Sequence, residues 1–318
     1  MLSSAHGPAT GLKGDIAMRV RSLCGGVLFL VVGGITGPAF AQGGGGDVNE
    51  EVKRAVERAV GASVSSAVAE SLSRSIVSEG LQLMPTTTVF GSPFYNRTDG
   101  DFSFGSFKAD TYGGVVGFLY KVNDYFLLHG AVSGAHTHTD VSVAGSSSGL
   151  NAHFFEARVG GDLVFVNTEP AKAWFTLEGG ASNFATELTD DIWSWRVAPS
   201  ATISLRAGPV LFEPTVGFSF SDAFEGSDLG TTITFQPGFA LKYRGERFRP
   251  QLNFQYSKVI DPKIVAANDD GFITVGPEIL YAVTPSLLIG GAYSYGTSLT
   301  KGVDIRSHTA TLEVRFIF

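Results

Sequence analysis

From about Pro85 to the carboxyl terminus, apolar and polar residues alternate with a period of two, in segments of ten to fourteen residues separated by turn residues. A strand sends successive side chains to opposite faces, so this period predicts strands with one apolar face. The last segment puts Ala310, Leu312, Val314, Phe316 and Phe318 on one face and Thr309, Thr311, Glu313 and Arg315 on the other. Phe155, Ala157, Val159, Leu163 and Phe165 oppose Glu156, Arg158 and Asp162 in the same way. Trp193, Trp195, Val197, Ala201, Ile203 and Leu205 oppose Ser194, Arg196, Ser200, Thr202 and Ser204.

Connection lengths also alternate. Short links are predicted at Val122–Asp124, Asn167–Ala171, Arg206–Pro209, Arg244–Arg247 and Val283–Ser286, and longer polar ones at Asp140–Gly149, Thr186–Asp191, Asp222–Gly230, Ile260–Gly271 and Thr297–Asp304. Five short-turn hairpins give ten strands. The carboxyl-terminal strand is the eleventh, and a first strand over Leu83–Phe94, interrupted by Pro85, Gly91 and Pro93, makes twelve.

Alternation alone does not name the solvent, because a soluble sandwich alternates too. The polar face decides. It carries Glu156, Arg158, Asp162, Glu178, Arg196, Glu213, Lys242, Glu278, Glu313 and Arg315, more charge than a dry sandwich core tolerates. Aromatic residues gather toward the strand ends, and the strands match the 9 to 11 residues of a tilted bilayer crossing. Composition agrees: 17% charged residues, 40 Gly and 25 Phe are unusual for a soluble enzyme of 318 residues. After Ala41 no apolar run approaches the length of a membrane helix, so a membrane-spanning mature chain has to be a closed barrel.

The segment before the strands has a different period. Asp47 to Glu79 contains no Pro and a single Gly, with Asp47 placed as N-cap and Gly80 as the stop of one long helix. Val48, Val52, Val56, Val60, Val64, Val68, Leu72 and Ile76 recur every fourth residue, so the stripe drifts by about 40° per step around a 3.6-residue helix. Lys53, Arg54 and Arg58 fall in its first half, and Ser and Ala dominate the second. Such an all-round, weakly polar surface suits enclosure in a barrel lumen, where those cations can meet lumenal carboxylates. A self-associating coil or a linker carries the same pattern.

Met18 to Ala41 has the layout of a secretory signal: Arg19 and Arg21, an apolar run from Leu23 to Ile35, and the small-x-small ending Ala39-Phe40-Ala41 before Gln42. Translation is expected to start at Met18. Removal of residues 1–41 takes the single cysteine, Cys24, and leaves 20 basic against 29 acidic residues. The expected organisation is a signal peptide over 1–41, a Gly-rich segment with the helix over 42–80, and the barrel over 81–318.

Together these features resemble the translocator domain of autotransporters, the type V secretion barrels. The residues that carry the resemblance are the helix ending at Gly80 directly before the first strand and the final Leu312-x-Val314-x-Phe316-x-Phe318. The resemblance implies an all-β, antiparallel up-and-down transmembrane barrel with the amino-terminal helix in its lumen. It also implies that Leu312, Val314, Phe316 and Phe318 signal to the barrel-insertion machinery, and that the protein resides in the outer membrane among its lipids after export through the periplasm. Only Gln42 to Asp47 stand before the helix, so no passenger is evident.

Three functions follow in order: a translocator for secretion or surface display, or a passenger-less relative of one; a porin-like passive channel; and a hydrolase at the barrel rim. The last lacks a convergent nucleophile and base. Ser307 and His308 are adjacent and therefore fall on opposite strand faces. His136, His138 and Asp140 are the one local set of metal-ligand types, and Asp190, Asp191, Asp269 and Asp270 are loop acids expected to be solvated. No cofactor or metal is expected, and a net charge of −7 offers no basic footprint for nucleic acid. The expected site is thus the lumenal charge set Glu156, Arg158, Asp162, Glu178, Arg196, Glu313 and Arg315, read first as ion pairs that hold plug to wall.

Overall fold

The computed structural model describes residues 87–102, 105–143, 146–186, 189–224, 231–260, 271–299 and 303–318. The predicted signal peptide, the helix over Asp47–Glu79 and the loop acids Asp269 and Asp270 lie outside them, as do the side chains of Asp190 and Asp191.

The described residues form twelve antiparallel strands, each paired with its neighbours in sequence: β1 (Thr87–Phe102), β2 (Gly105–Asn123), β3 (Phe126–Val143), β4 (Ser146–Asn167), β5 (Ala171–Thr186), β6 (Thr189–Ala207), β7 (Val210–Ala223), β8 (Thr232–Tyr243), β9 (Phe248–Val259), β10 (Phe272–Thr284), β11 (Leu287–Ser298) and β12 (Val303–Ile317). β1 pairs with β12 and closes the barrel, which removes every sheet edge. The two ends meet at one rim: the Thr87 amide donates to the Phe318 carbonyl at 3.4 Å and the Phe318 amide to Thr87 at 2.8 Å. All five predicted short links fall at this turn rim. At one of them Gly208 takes a φ of 60°, the left-handed conformation that a two-residue hairpin turn favours.

Two expectations are corrected. The first strand spans Thr87–Phe102 and not Leu83–Phe94. Asp140–Gly149 and Thr186–Asp191 are largely strand, since β3 runs to Val143, β4 starts at Ser146 and β6 starts at Thr189. The apolar alternation fades there because the upper ends of β3 to β6 carry polar residues on their outward face as well.

The outer face is apolar around its circumference, with Val116, Val159, Leu177, Val216, Ile279 and Leu312 between 44% and 67% exposed. Such a surface needs a bilayer against it. Aromatic side chains frame this band. Tyr120, Tyr125, Phe165, Tyr243, Phe248, Tyr281, Phe316 and Phe318 mark the turn rim. On the opposite side the strand register aligns Tyr293, Ala310, Tyr95, Tyr112, His136 and His153 in one row across β11, β12 and β1 to β4. The stretch from Tyr120 to Tyr112 on β2 corresponds to about 27 Å of strand, or about 21 Å of height at a tilt near 40°, close to the ~25 Å apolar band of such barrels.

Candidate functional site

Strand alternation delivers every buried charge to the lumen. Glu156, Arg158, Asp162, Glu178, Arg196, Glu213, Lys242, Glu278, Glu313 and Arg315 are each no more than 8% exposed. These include all seven lumenal charges expected from the sequence, and the register assembles them into three groups.

The first lies on β3 to β5. Arg158 Nη2 donates to Glu156 at 2.7 Å and Nη1 to Glu178 at 3.2 Å. His129 Nδ1 stands 2.9 Å from Asp162, and its Nε2 stands 3.6 Å from Glu178. Thr176 donates its hydroxyl to the other oxygen of Asp162 at 2.6 Å. The imidazole lies over Gly160, where a Cβ would come within 2.2 Å of His129 Nε2. On the neighbouring strand, Arg196 Nε donates to Ser219 at 2.8 Å. Sequence reasoning misses His129: its partner Asp162 is 33 residues away, and only the β3–β4 register brings the two together.

The second group pairs Lys242 Nζ with Glu213 at 2.7 Å, while Ser204 donates to the same carboxylate at 2.9 Å. In the third, Arg315 Nη2 donates to Glu278 at 3.1 Å and to Glu313 at 2.9 Å. Gln251 and Asn253 also donate to Glu278, the latter at 3.4 Å. Mixed signs at these distances hold neighbouring strands together through charge-assisted hydrogen bonds. Among the described residues the buried lumenal set has six carboxylates, Glu156, Asp162, Glu178, Glu213, Glu278 and Glu313, against four permanent cations.

The charges do not go all the way round. Between Phe90 and Thr98 on β1, and between Phe107 and Leu119 on β2, no charged side chain faces inward. Phe90, Ser92, Phe94 and Asn96 line that stretch of β1, with Phe107, Thr111, Val115 and Leu119 on β2. Towards the loop end a small apolar cluster, Ala152, Phe154 and Phe184, sits on the inner wall.

The other expected candidates separate. Ser307 faces the lumen and accepts a hydrogen bond from Asn96 at 2.7 Å, while His308 faces outward, 2.6 Å from the Tyr293 hydroxyl, so the two cannot act as nucleophile and base. His136 and His138 also face outward. The His136 ring packs on His153 with centroids 4.8 Å apart, and His138 bonds Asn151 at 2.9 Å and lies 3.6 Å from Asp140. Among the described residues no group of three or more His, Cys, Asp or Glu is placed to hold a metal ion. At the turn rim, the Lys121 ammonium, 2.7 Å away, holds the Asp124 carboxyl below its ordinary range.

Neither a protein-family model nor a curated protein matches the chain. Solved structures do. The translocator domain of the autotransporter NalP from Neisseria meningitidis superimposes with a TM-score of 0.56 at 11% identity, over 80% of this chain and 97% of that one. The transport unit of the autotransporter AIDA-I from Escherichia coli gives 0.51 at 10% identity, over 77% and 97%. A monoaromatic hydrocarbon channel, CymD, gives 0.45 at 10% identity, over 75% and 90%. At these identities the likeness is one of fold, and the chain has the twelve-stranded barrel fold of autotransporter translocator domains.

Proposed function

We propose that the protein is an outer-membrane barrel of the autotransporter translocator type, which carries its own amino-terminal segment through the lumen to the cell surface, either as a secretion device or as a passenger-less relative of one. One observation carries this reading. β1 starts at the rim where β12 ends, immediately beside the mouth of a lumen with charged and neutral walls, so the chain enters its first strand at that mouth. The turn rim then faces the periplasm and the opposite end faces outward, as in barrels with short periplasmic turns. Catalysis has no support in the wall: its acids are bound up in ion pairs, and Ser307 and His308 point apart.

The porin-like alternative keeps one supporting feature, a lumenal wall rich in paired charges of the kind that lines aqueous channels. An epitope inserted after Gln42 in the full chain separates the two. Antibody binding on intact cells is the expected result for the translocator. A tag that is reached only after the outer membrane is permeabilised would overturn it.

A further inference from the structure

We propose that the mouth of the lumen at the turn rim is a binding site for water-borne multivalent oxyanions, oligophosphates being the simplest, held by Lys121, Lys172 and Arg206. The site is built from the barrel wall alone and serves a translocator or a channel equally.

Register gives these cations their direction. Lys121 pairs with Leu127, Lys172 with Ser204 and Arg206 with Leu211, and each of those partners is an inward residue no more than 3% exposed. Directly paired residues share a face of the sheet, so the three cations stand on the lumen side. The outward positions of the same strand ends, Tyr120, Phe175 and Leu205, are apolar or aromatic and exposed, as a lipid-facing surface requires. These charges therefore meet the water of the mouth and not the headgroups around it.

Contacts between the turns bring them together. Lys121 Nζ lies 2.7 Å from Asp124, and Asn167, directly opposite Lys172 in the ladder, donates to the Asp124 carbonyl at 3.1 Å. The Arg206 amide donates to the Pro170 carbonyl at 2.9 Å and the Arg244 amide to that of Pro209 at 2.7 Å, so each turn is tied to the next. Lys172 consequently lies within the electrostatic reach of Lys121, Asp124 and Arg206, although β3 and β4 stand between β2 and β5. Lys172 faces Ser204, which makes Arg206 its diagonal neighbour at roughly 7 to 8 Å, close enough for long side chains to interact. Like charges so placed repel and contribute nothing to the fold, whereas an anion bound between them is attracted by both.

The two ends of the barrel differ in their balance of charge. Among the described residues of the turn rim, Lys121, Lys172, Arg206, Arg244, Arg247 and Arg249 stand against Asp124, Glu169 and Glu246. At the loop end, Arg97, Lys108, Lys258 and Arg306 stand against Asp99, Asp101, Asp110, Asp140, Asp222 and Asp304. The excess of cations belongs to one mouth, in a chain of net charge −7. Such a mouth raises the local concentration of anions. From β2 to β6 is four strand spacings, about 19 Å. One phosphate cannot span that arc, but a chain of anionic groups can, which favours a multivalent ligand.

Calorimetric titration of tripolyphosphate into the full chain, refolded in zwitterionic micelles at low salt, tests the site. Saturable binding is expected, weakened at least about tenfold when Lys172→Gln is combined with Arg206→Gln, because two charge-assisted hydrogen bonds are removed. Lys121→Gln, an independent change at the same mouth, is expected to weaken it as well. Arg97→Gln combined with Arg306→Gln, the same loss of charge at the loop end, is expected to keep the affinity within about twofold. Each barrel is compared in its heat-modifiable gel mobility. No saturable binding, or an equal loss in the two double variants, would overturn the site. Phosphatidylglycerol that stays on the wild type through purification, and is lost when Lys172→Gln is combined with Arg206→Gln, would assign these cations to lipid headgroups and overturn the water-facing site.

Discussion

Ser92 donates its hydroxyl to the carbonyl of Leu312 at 2.6 Å across the seam that closes the barrel. The register continues from Gly91↔Val314 to Phe94↔Thr311, which puts Pro93 opposite Leu312. Proline has no amide hydrogen to give, so the neighbouring side chain supplies the donor that the backbone lacks. The seam thus keeps its register through a residue that would otherwise break a ladder.

Ser92→Ala should weaken that seam specifically. A carbonyl left without its donor in a dehydrated wall costs about 1 to 3 kcal/mol. The urea midpoint of the refolded barrel in lipid vesicles is expected to fall, with Ser92→Thr retaining most of the stability. An unchanged midpoint for Ser92→Ala would show that water replaces the hydroxyl.

A Cβ on Gly160 would stand 2.2 Å from His129 Nε2, so the imidazole lies directly over this glycine. Gly160→Ala should push the imidazole off Asp162 and cost about 1 to 3 kcal/mol by overcrowding. In the His129→Ala background the same change should cost much less, because the clashing ring is gone. The double-mutant cycle therefore reads a coupling of about 1 kcal/mol or more, and additivity would contradict so close an approach.

Arg158 joins two carboxylates whose side chains are 4% and 10% exposed. Arg158→Ala should cost about 3 to 5 kcal/mol if the group is as dehydrated as its burial indicates, since Glu156 and Glu178 then repel each other. A loss under about 1 kcal/mol would mean that the pair behaves as a solvated surface bridge. Adding Glu156→Gln should recover part of the loss.

Phe318 offers a contrast between folding and delivery. Its side chain is 69% exposed, and its backbone already closes the seam with Thr87. Phe318→Ala is expected to refold in vesicles with little change in urea midpoint and, on the carboxyl-terminal signal that the resemblance to autotransporter barrels implies, to accumulate poorly in the outer membrane of cells. Wild-type membrane levels would count against the carboxyl-terminal signal.

The alternation of Glu156 and Arg158 against Phe155, Ala157 and Val159 is enough to place two charges on the inner face, because a period of two needs only the order of residues along the chain. The tight links are legible for the same reason, since each interrupts that period. His129 is not, although Leu127, His129 and Ala131 alternate with Leu128, Gly130 and Val132. A single imidazole on a strand gains meaning only from the register that sets it beside Asp162. The end of β3, from Asp140 on, reads as a loop in sequence because Asp140 and Ser142 take the outward positions, where the lower strand carries apolar residues. Above the apolar band the contrast in polarity between the two faces weakens, and hydrophobic periodicity no longer reports strand.

Occupation of the lumen by the residues before Thr87 should be visible in the single-channel conductance of the refolded mature protein in planar bilayers. The intact protein is expected to show a small conductance, with a clear increase when residues 47–79 are deleted. Free conduction by the intact protein, unchanged by the deletion, would refute lumenal occupation and leave an open, porin-like barrel.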